Sequence, residues 1–409
     1  MIERALTAPL LAALADTPVA IVVGARQTGK STLVKRLAER EHRAEYVSFD
    51  DPTILAAARR DPTGFVDQFD GPVILDEIQR APELFLPIKA AVDRNRQPGR
   101  FLLTGSANVL LVPAVAEALA GRVEVLTLWP FSAAELAGRP AGLFVESLFA
   151  AGDPATKAEA PSEAKLVRRL LAGGYPEAVA RDDEERRRSW FSSYLTTILE
   201  RDVRSIADIE RLEELPLLLS AVALRSRGPL NKSGLSQDLG MANSSIDRYL
   251  LLLERVFLVR RFAAWHNRLH PRLVKAPKLL ISDSGLLCRL LRADAERLAD
   301  DPTLRGLVLE GYVGMELVKS AEIAGAGASV MHYRTSKGVE VDFLVESPDG
   351  RVAGVEVKGG KTVDAGDFKR FERLERTLGD RFARGVVLYT GDRVVPFGDR
   401  LAAWPVSLL

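Results

Sequence analysis

A chain of 409 residues is too long for one ordinary hydrophobic core and points to about three folding units at ~150 residues each. With 47% hydrophobic and 27% charged residues it has the make-up expected of a soluble globular protein rather than a disordered tail or a membrane span. The formal net charge of +1 gives no protein-wide field to draw in a phosphate polymer, so any contact with DNA or RNA has to come from local patches.

The opening stretch carries Glu3 and Asp16 and runs straight into a glycine loop, so neither an export signal nor a membrane-spanning helix is expected. Up to about residue 130, short apolar runs alternate with amphipathic stretches. The predicted strands are "VAIVVG", "AEYVSF", "PVILDE", "RFLLTG" and "VEVLTL", with helices such as "KSTLVKRLAER" between them. This is the pattern of an α/β, doubly wound parallel sheet of about five strands. Residues 150–164 are rich in alanine, proline and small polar residues and read as a linker, followed by helices to about 224. Residues 225–282 read as helix, turn, helix and two strands, with Gly240 ending the first helix, Asn243 or Ser244 capping the second, and a strand led by Val256. The remainder reads as helix, several strands, helix, strand. The expected division is a nucleotide-binding core over 1–140, linker and helical lid over 141–224, a helix-turn-helix module over 225–300 and a last α/β domain over 301–409.

Cys288 is the only cysteine, so no internal disulfide is possible, and the four histidines lack cysteine partners for a structural zinc site. A reducing cytoplasm is the expected setting. His266 and His270 are four apart and read as an ordinary pair near an interface rather than as metal ligands.

The first chemical signal is Gly24-Ala25-Arg26-Gln27-Thr28-Gly29-Lys30-Ser31-Thr32, a G-x-x-x-x-G-K-[ST] loop between an apolar strand and a helix. Gly24 and Gly29 permit backbone conformations in which successive amides point inward at a phosphate. Lys30 supplies a point charge to the β and γ oxygens of ATP, Ser31 offers a hydroxyl to Mg²⁺, and the helix adds the positive end of its dipole. In "PVILDEI" an apolar strand delivers Asp76 beside the loop, where a carboxylate serves the magnesium, and Glu77 is suited to orienting the attacking water. Thr104 and Ser106 end another strand, as sensors of the γ-phosphate or as an ordinary Ser/Thr/Gly turn. Arg122 is either a finger into a neighbouring subunit's nucleotide, which implies a homo-oligomer, or a surface ion pair.

These residues resemble the AAA-type P-loop ATPases. "GARQTGKST", "VILDEIQRAPELF", "LLTGSAN", "LAGR", "GGYPE" and "RDV", in this order, resemble the bacterial and archaeal AAA ATPases that carry a C-terminal domain of unknown function, over nearly the whole chain. Ala25 stands where that group usually has Pro. For Gly173 to Glu177 and for Arg201 and Asp202 only the resemblance speaks, without a mechanism.

The helix-turn-helix and its two strands look like a winged helix. Its second helix offers only Arg248 as a cation, beside Asp247, while Arg255, Arg260, Arg261, Arg268 and Arg272 gather after it. Both nucleic-acid contact and packing against a protein partner fit. In the last domain "GVEVDFLVES" and "GRVAGVEVKGG" read as successive strands, placing Asp342 beside Glu356 and Lys358, two apart on one face. A preceding helix offers Glu310, with Glu316 as second choice. The order resembles the PD-(D/E)xK restriction-endonuclease-like fold, which implies that Asp342 and Glu356 hold Mg²⁺, with Lys358 and Glu310 completing a nuclease site. A binding platform that does not cut is the other reading. The expected activity is therefore Mg²⁺-dependent ATP hydrolysis that controls a winged-helix and nuclease-like region on nucleic acid. The alternative is a slow ATP-dependent switch that grips a protein partner, as in a toxin-antitoxin or defence module.

Overall fold

The computed structural model describes residues 2–106, 119–154, 162–203, 212–266, 276–324, 327–335 and 338–409. The side chains of Arg201 and Asp202, the last two residues of "LLTGSAN", the middle of the linker, His270, Arg268 and Arg272 lie outside the described residues. The chain divides into two compact units, residues 1–131 with 255–257, and residues 132–254 with 258–409.

The first unit is built on β1 (Val19–Val23), β2 (Glu45–Ser48), β3 (Val73–Asp76), β4 (Phe101–Gly105) and β5 (Val123–Thr127), all parallel in the order β2-β3-β4-β1-β5. The five strands fall where the apolar runs predict them. β1, β3 and β4 are buried along their whole length, as central strands covered on both faces must be, and they carry Val, Ile and Leu without alternation. Parallel strands place all their carboxyl ends on one edge, so the loops after β1, β3 and β4 open side by side.

In the second unit, β8 (Ser329–Arg334), β9 (Glu340–Glu346), β10 (Val352–Val357), β11 (Phe382–Tyr389), β12 (Val395–Pro396) and β13 (Leu401–Pro405) form a mixed sheet in the order β12-β13-β11-β10-β9-β8. The helix Lys369–Leu378 packs on β9 and β11, and the 22-residue helix Pro302–Ile323 packs on β8 and β10. Gly354 and Gly385 bring the Phe371 ring down onto the sheet, since a Cβ at either position would lie within 2.6 Å of it. Ahead of this sheet, the helices Lys232–Leu239 and Asn243–Arg255 are followed by an antiparallel ribbon of β6 (Val259–Phe262) and β7 (Lys278–Ile281). Gly240 closes the first of these helices in the left-handed conformation, as expected. Asn243 and Ser244, expected as caps, instead lie inside the first turn of the second helix, and β6 begins at Val259 rather than Val256, after a turn in which Phe257 takes a positive φ of 59°. Among the described residues no helix is long and apolar enough to cross a membrane.

The "GGYPE" stretch, for which the sequence offers no chemistry, turns out to be a packing device. Gly173 ends the helix Glu163–Ala172 with φ +63°, and a Cβ there would meet the Asp283 carboxylate at 2.2 Å. Asp283 accepts from Gly174 N–H at 2.7 Å and from Leu286 N–H at 3.0 Å, capping the helix Ser284–Leu290. Tyr175 is fully buried, with its ring 4.9 Å from that of Tyr194, whose hydroxyl donates to the Tyr175 hydroxyl at 3.1 Å. Burial raises the pKa of the Asp283 carboxyl, and the two N–H donors oppose the shift. Gly173→Ala is expected to destabilise the second unit by ~1–3 kcal/mol through backbone strain plus displacement of Asp283. Urea denaturation beside Gly138→Ala checks this, because Gly138 has a similar φ of +64° but no atom within 4 Å of the place a Cβ would take, and should lose less.

Candidate nucleotide site

The loop after β1 is held from several sides. A Cβ on Gly24 would lie 2.3 Å from the Leu128 carbonyl oxygen, so only glycine lets the loop leave β1 against the end of β5. Gln27 and Gly29 take positive φ values of 61° and 94°, which turns the chain back into the helix Lys30–Arg40. Inside the turn, Thr28 Oγ1 donates to the Ala25 carbonyl at 2.9 Å. Outside it, Arg4 donates to the carbonyls of Thr28 at 2.7 Å and Trp129 at 2.6 Å. Sequence reasoning misses Arg4, because a lone arginine ahead of a helix carries no motif. Ala25 is buried, Arg26 partly so, and Gln27 and Thr32 are exposed.

Lys30 is buried, and its Nζ donates to the carbonyls of Gly24 at 3.0 Å and Ala25 at 2.9 Å, folded back over the loop it serves. Asp76, at the end of β3, is 2% exposed and gathers three hydroxyls. Ser31 Oγ donates to its Oδ1 at 3.2 Å, Thr104 Oγ1 donates to the same oxygen, and Tyr46 OH donates to Oδ2 at 2.6 Å. Tyr46 belongs to no motif either; it reaches Asp76 because β2 pairs with β3. Burial, then the bond to Asp76, raises its phenol pKa. Hard oxygens from Ser31 and Asp76, set side by side, suit the coordination of Mg²⁺.

Glu77 takes a left-handed backbone conformation with φ 62°, and its N–H donates to Thr104 Oγ1 at 3.0 Å. Its carboxylate accepts from Gln79 Nε2, which also donates to Ser106 Oγ at 2.9 Å. Thr104 is thus engaged with the two acids, and Ser106 is tied to Glu77 through Gln79. Arg122 stands at the start of β5, the opposite end of the sheet from the loop by about 17 Å at ~3.3 Å per residue. There its Nε pairs with Asp93 at 2.6 Å, which lowers the Asp93 pKa. It is not part of its own chain's nucleotide site.

The C-terminal acids converge in part. In the antiparallel pairing of β9 with β10, Asp342 Oδ2 accepts from Val357 N–H at 2.9 Å and Glu356 Oε2 accepts from Asp342 N–H at 3.4 Å. Glu310 is buried in the long helix; its Oε1 pairs with Lys278 Nζ from β7, and its Oε2 with Arg227 Nε at 3.2 Å. Glu356 Oε1 pairs with Arg370. The Asp342 carboxyl is pushed up to about 7, first by burial and then by the charge of Glu310, and the Glu356 carboxyl is raised by burial and then by Asp342. For the Lys278 ammonium burial alone lowers the pKa, but Glu310 and Asp342 outweigh it and the net shift is upward. Lys358 does not join this group. It lies one residue past the end of β10 and pairs with Asp367 in the turn that follows. Glu316 also lies apart, bonded to Lys319 Nζ at 2.8 Å and Ala133 N–H at 2.7 Å.

Three family models match successive parts of the chain: an AAA domain over residues 16–137, a domain of unknown function (DUF8612) over 163–297, and a domain of unknown function (DUF4143) over 305–409. Over 417 aligned residues the chain is 31% identical to the uncharacterized protein Rv2008c of Mycobacterium tuberculosis and to the uncharacterized protein Mb2031c of Mycobacterium bovis, covering 99% of this chain and 84% of each relative. The chain belongs to the AAA-domain family with a C-terminal DUF4143 domain. Among solved structures, the RuvB Holliday junction branch migration motor of Thermotoga maritima matches at 16% identity and a TM-score of 0.30, over 72% of this chain and 96% of that one. AMPPCP-bound DnaA from Aquifex aeolicus matches at 12% identity and a TM-score of 0.29, over 61% and 86%. Both likenesses are too loose to carry a property across.

Within the AAA domain, Gln79 draws the Glu77 carboxylate toward Ser106. A lone pair given to Gln79 is not available to a water, so Gln79→Ala is expected to raise ATP turnover by about 2- to 10-fold, the equivalent of one ordinary hydrogen bond. Steady-state phosphate release at saturating ATP checks this, and a fall in rate would mean that Gln79 positions Glu77 rather than holds it back.

Proposed function

We propose that the protein is a Mg²⁺-dependent ATPase that works as a slow switch, with its C-terminal region as the part that grips a partner. The observation that carries the ATPase reading is the 3.2 Å contact between Ser31 and Asp76 directly beside the buried Lys30, two hard oxygens next to a buried ammonium. Lys30 would exchange the loop carbonyls for the β- and γ-phosphates, and the helix N-terminus behind it favours the same negative charge. Mg²⁺, held by Ser31 and Asp76, would neutralise phosphate oxygens. Tyr46 and Thr104 fix the Asp76 carboxylate so that it need not reorganise, and Glu77 orients the attacking water. Arg122, paired with Asp93 at the far edge, serves as a finger only if a neighbouring copy presents its nucleotide there.

For the C-terminal region, ion pairing favours a protein partner over nucleic acid. Asp247 on the second helix of the helix-turn-helix is bonded to Lys232 at 2.9 Å, Arg261 to Glu254 at 2.9 Å, and Arg260 lies 3.9 Å from Glu322. Cations already answered by carboxylates contribute little to phosphate contact. The two helices followed by the β6–β7 ribbon are the feature that supports nucleic acid, and a salt-dependent gel shift with duplex DNA would bring that reading forward.

Lys30→Ala is expected to abolish ATP affinity in titration calorimetry, while Glu77→Gln keeps the affinity and lowers turnover by about 10²- to 10⁴-fold. Unchanged hydrolysis in Glu77→Gln would remove Glu77 from the water-orienting role. Absence of any ATP affinity in the wild type would overturn the ATPase reading altogether.

A further inference from the structure

A divalent cation in the C-terminal domain would be sought between Glu310, Asp342 and Glu356, yet the chain brings its own positive groups to those acids. Lys278 has no exposed surface; its strand position faces a bridge to Pro229, its Nζ lies 4.8 Å from the centre of the Phe343 ring, and it pairs with Glu310 Oε1. A lysine so enclosed has no route by which to snorkel away to solvent. Arg227 takes the other oxygen of Glu310, Arg370 takes Glu356 Oε1, and backbone N–H groups of residues 342 and 357 take Glu356 Oε2 and Asp342 Oδ2. Five of the six carboxylate oxygens therefore face nitrogen donors.

Charge leads to the same place. Three acids meet three basic side chains, Lys278, Arg227 and Arg370, whereas Mg²⁺ asks for near-octahedral oxygen ligands at ~2.0–2.1 Å. Among the described residues no three Asp, Glu, His or Cys side chains are placed to hold one metal ion. Lys358, the residue that would steady an attacking hydroxide, is turned to Asp367.

We infer that the Lys278 ammonium is the resident cation of this acid cluster, taking the part a divalent metal would play, and that the domain therefore binds without metal-dependent phosphodiester cleavage. The Lys278–Glu310 pair then ties the β6–β7 ribbon to the long helix of the last domain, a structural use for residues that resemble a nuclease site.

The test uses the full chain, free of nucleotide, with Asp76→Asn to remove the P-loop ligand, titrated with Mn²⁺ and followed by electron paramagnetic resonance. The expected result is no Mn²⁺ site tighter than about 1 mM and no change on adding Asp342→Asn. A tighter site, one Mn²⁺ per chain, that Asp342→Asn weakens ten-fold or more would overturn the inference. In a second arm, folded Lys278→Ala in the same background is expected to gain one Mn²⁺ that Asp342→Asn removes; a folded variant that gains none would overturn the part assigned to the lysine. If Lys278→Ala does not fold, the first arm decides alone. Plasmid nicking by the wild type in Mn²⁺ that disappears in Asp342→Asn would likewise overturn it. Neither arm measures ATP turnover, so failure here leaves the P-loop reading untouched.

Discussion

The AAA domain depends on one buried carboxylate. Asp76 sits at the end of a central strand with almost no exposure, and its two oxygens take hydroxyls from Ser31, Thr104 and Tyr46. These come from the helix after β1, from β4 and from β2, so a single acid ties three neighbouring segments at the carboxyl edge of the sheet. A buried charge without such partners would cost several kcal/mol. With them, the acid fixes the distance between the loop after β1 and the strand end that leads into Glu77. Ser31, Asp76, Thr104 and the Glu77 backbone are therefore joined by one chain of hydrogen bonds.

The second unit handles buried charge in the same way with different partners. Lys278 answers Glu310, Lys319 answers Glu316, and Asp283 is answered by backbone N–H groups of Gly174 and Leu286. Two of these arrangements bring together elements far apart in sequence: β7 with the long helix, the "GGYPE" turn with the helix Ser284–Leu290. Pairs of this kind add little net stability over an apolar core, but breaking one leaves a buried ion uncompensated. Their contribution is to register, since a helix that slips by one residue loses its partner.

Much of the first unit was legible in the sequence, for a physical reason. Continuous apolar runs separated by helical periodicity leave a parallel sheet as the natural solution, and the glycine-rich loop with Lys30 and Ser31 has to follow β1 for a helix N-terminus to meet phosphate. The places of Asp76, Glu77, Thr104 and Ser106 follow from the parallel topology once the strands are known. Arg4, Tyr46 and Gln79 were not legible, because their roles rest on which strands become neighbours and on single side-chain hydrogen bonds, neither of which has a periodic signature. Thr104 reads from the sequence as a candidate phosphate sensor, while its hydroxyl in the fold bridges the two acids.

The C-terminal sheet shows where reading by spacing reaches its end. Alternation along β9 and β10 correctly brings Asp342 beside Glu356, because pleat and register are local properties of two paired strands. The same alternation promises Lys358 to the cluster, and there a local acid intervenes: the Lys358 ammonium pairs with Asp367, just past the strand, rather than with Asp342 or Glu356. The cation that does reach the acids is Lys278, which lies more than sixty positions before Asp342 and on a different ribbon. Spacing tells which residues share a face. It does not tell which distant element supplies the opposite charge, and in a buried acid cluster that supplier determines whether oxygen atoms remain for a metal.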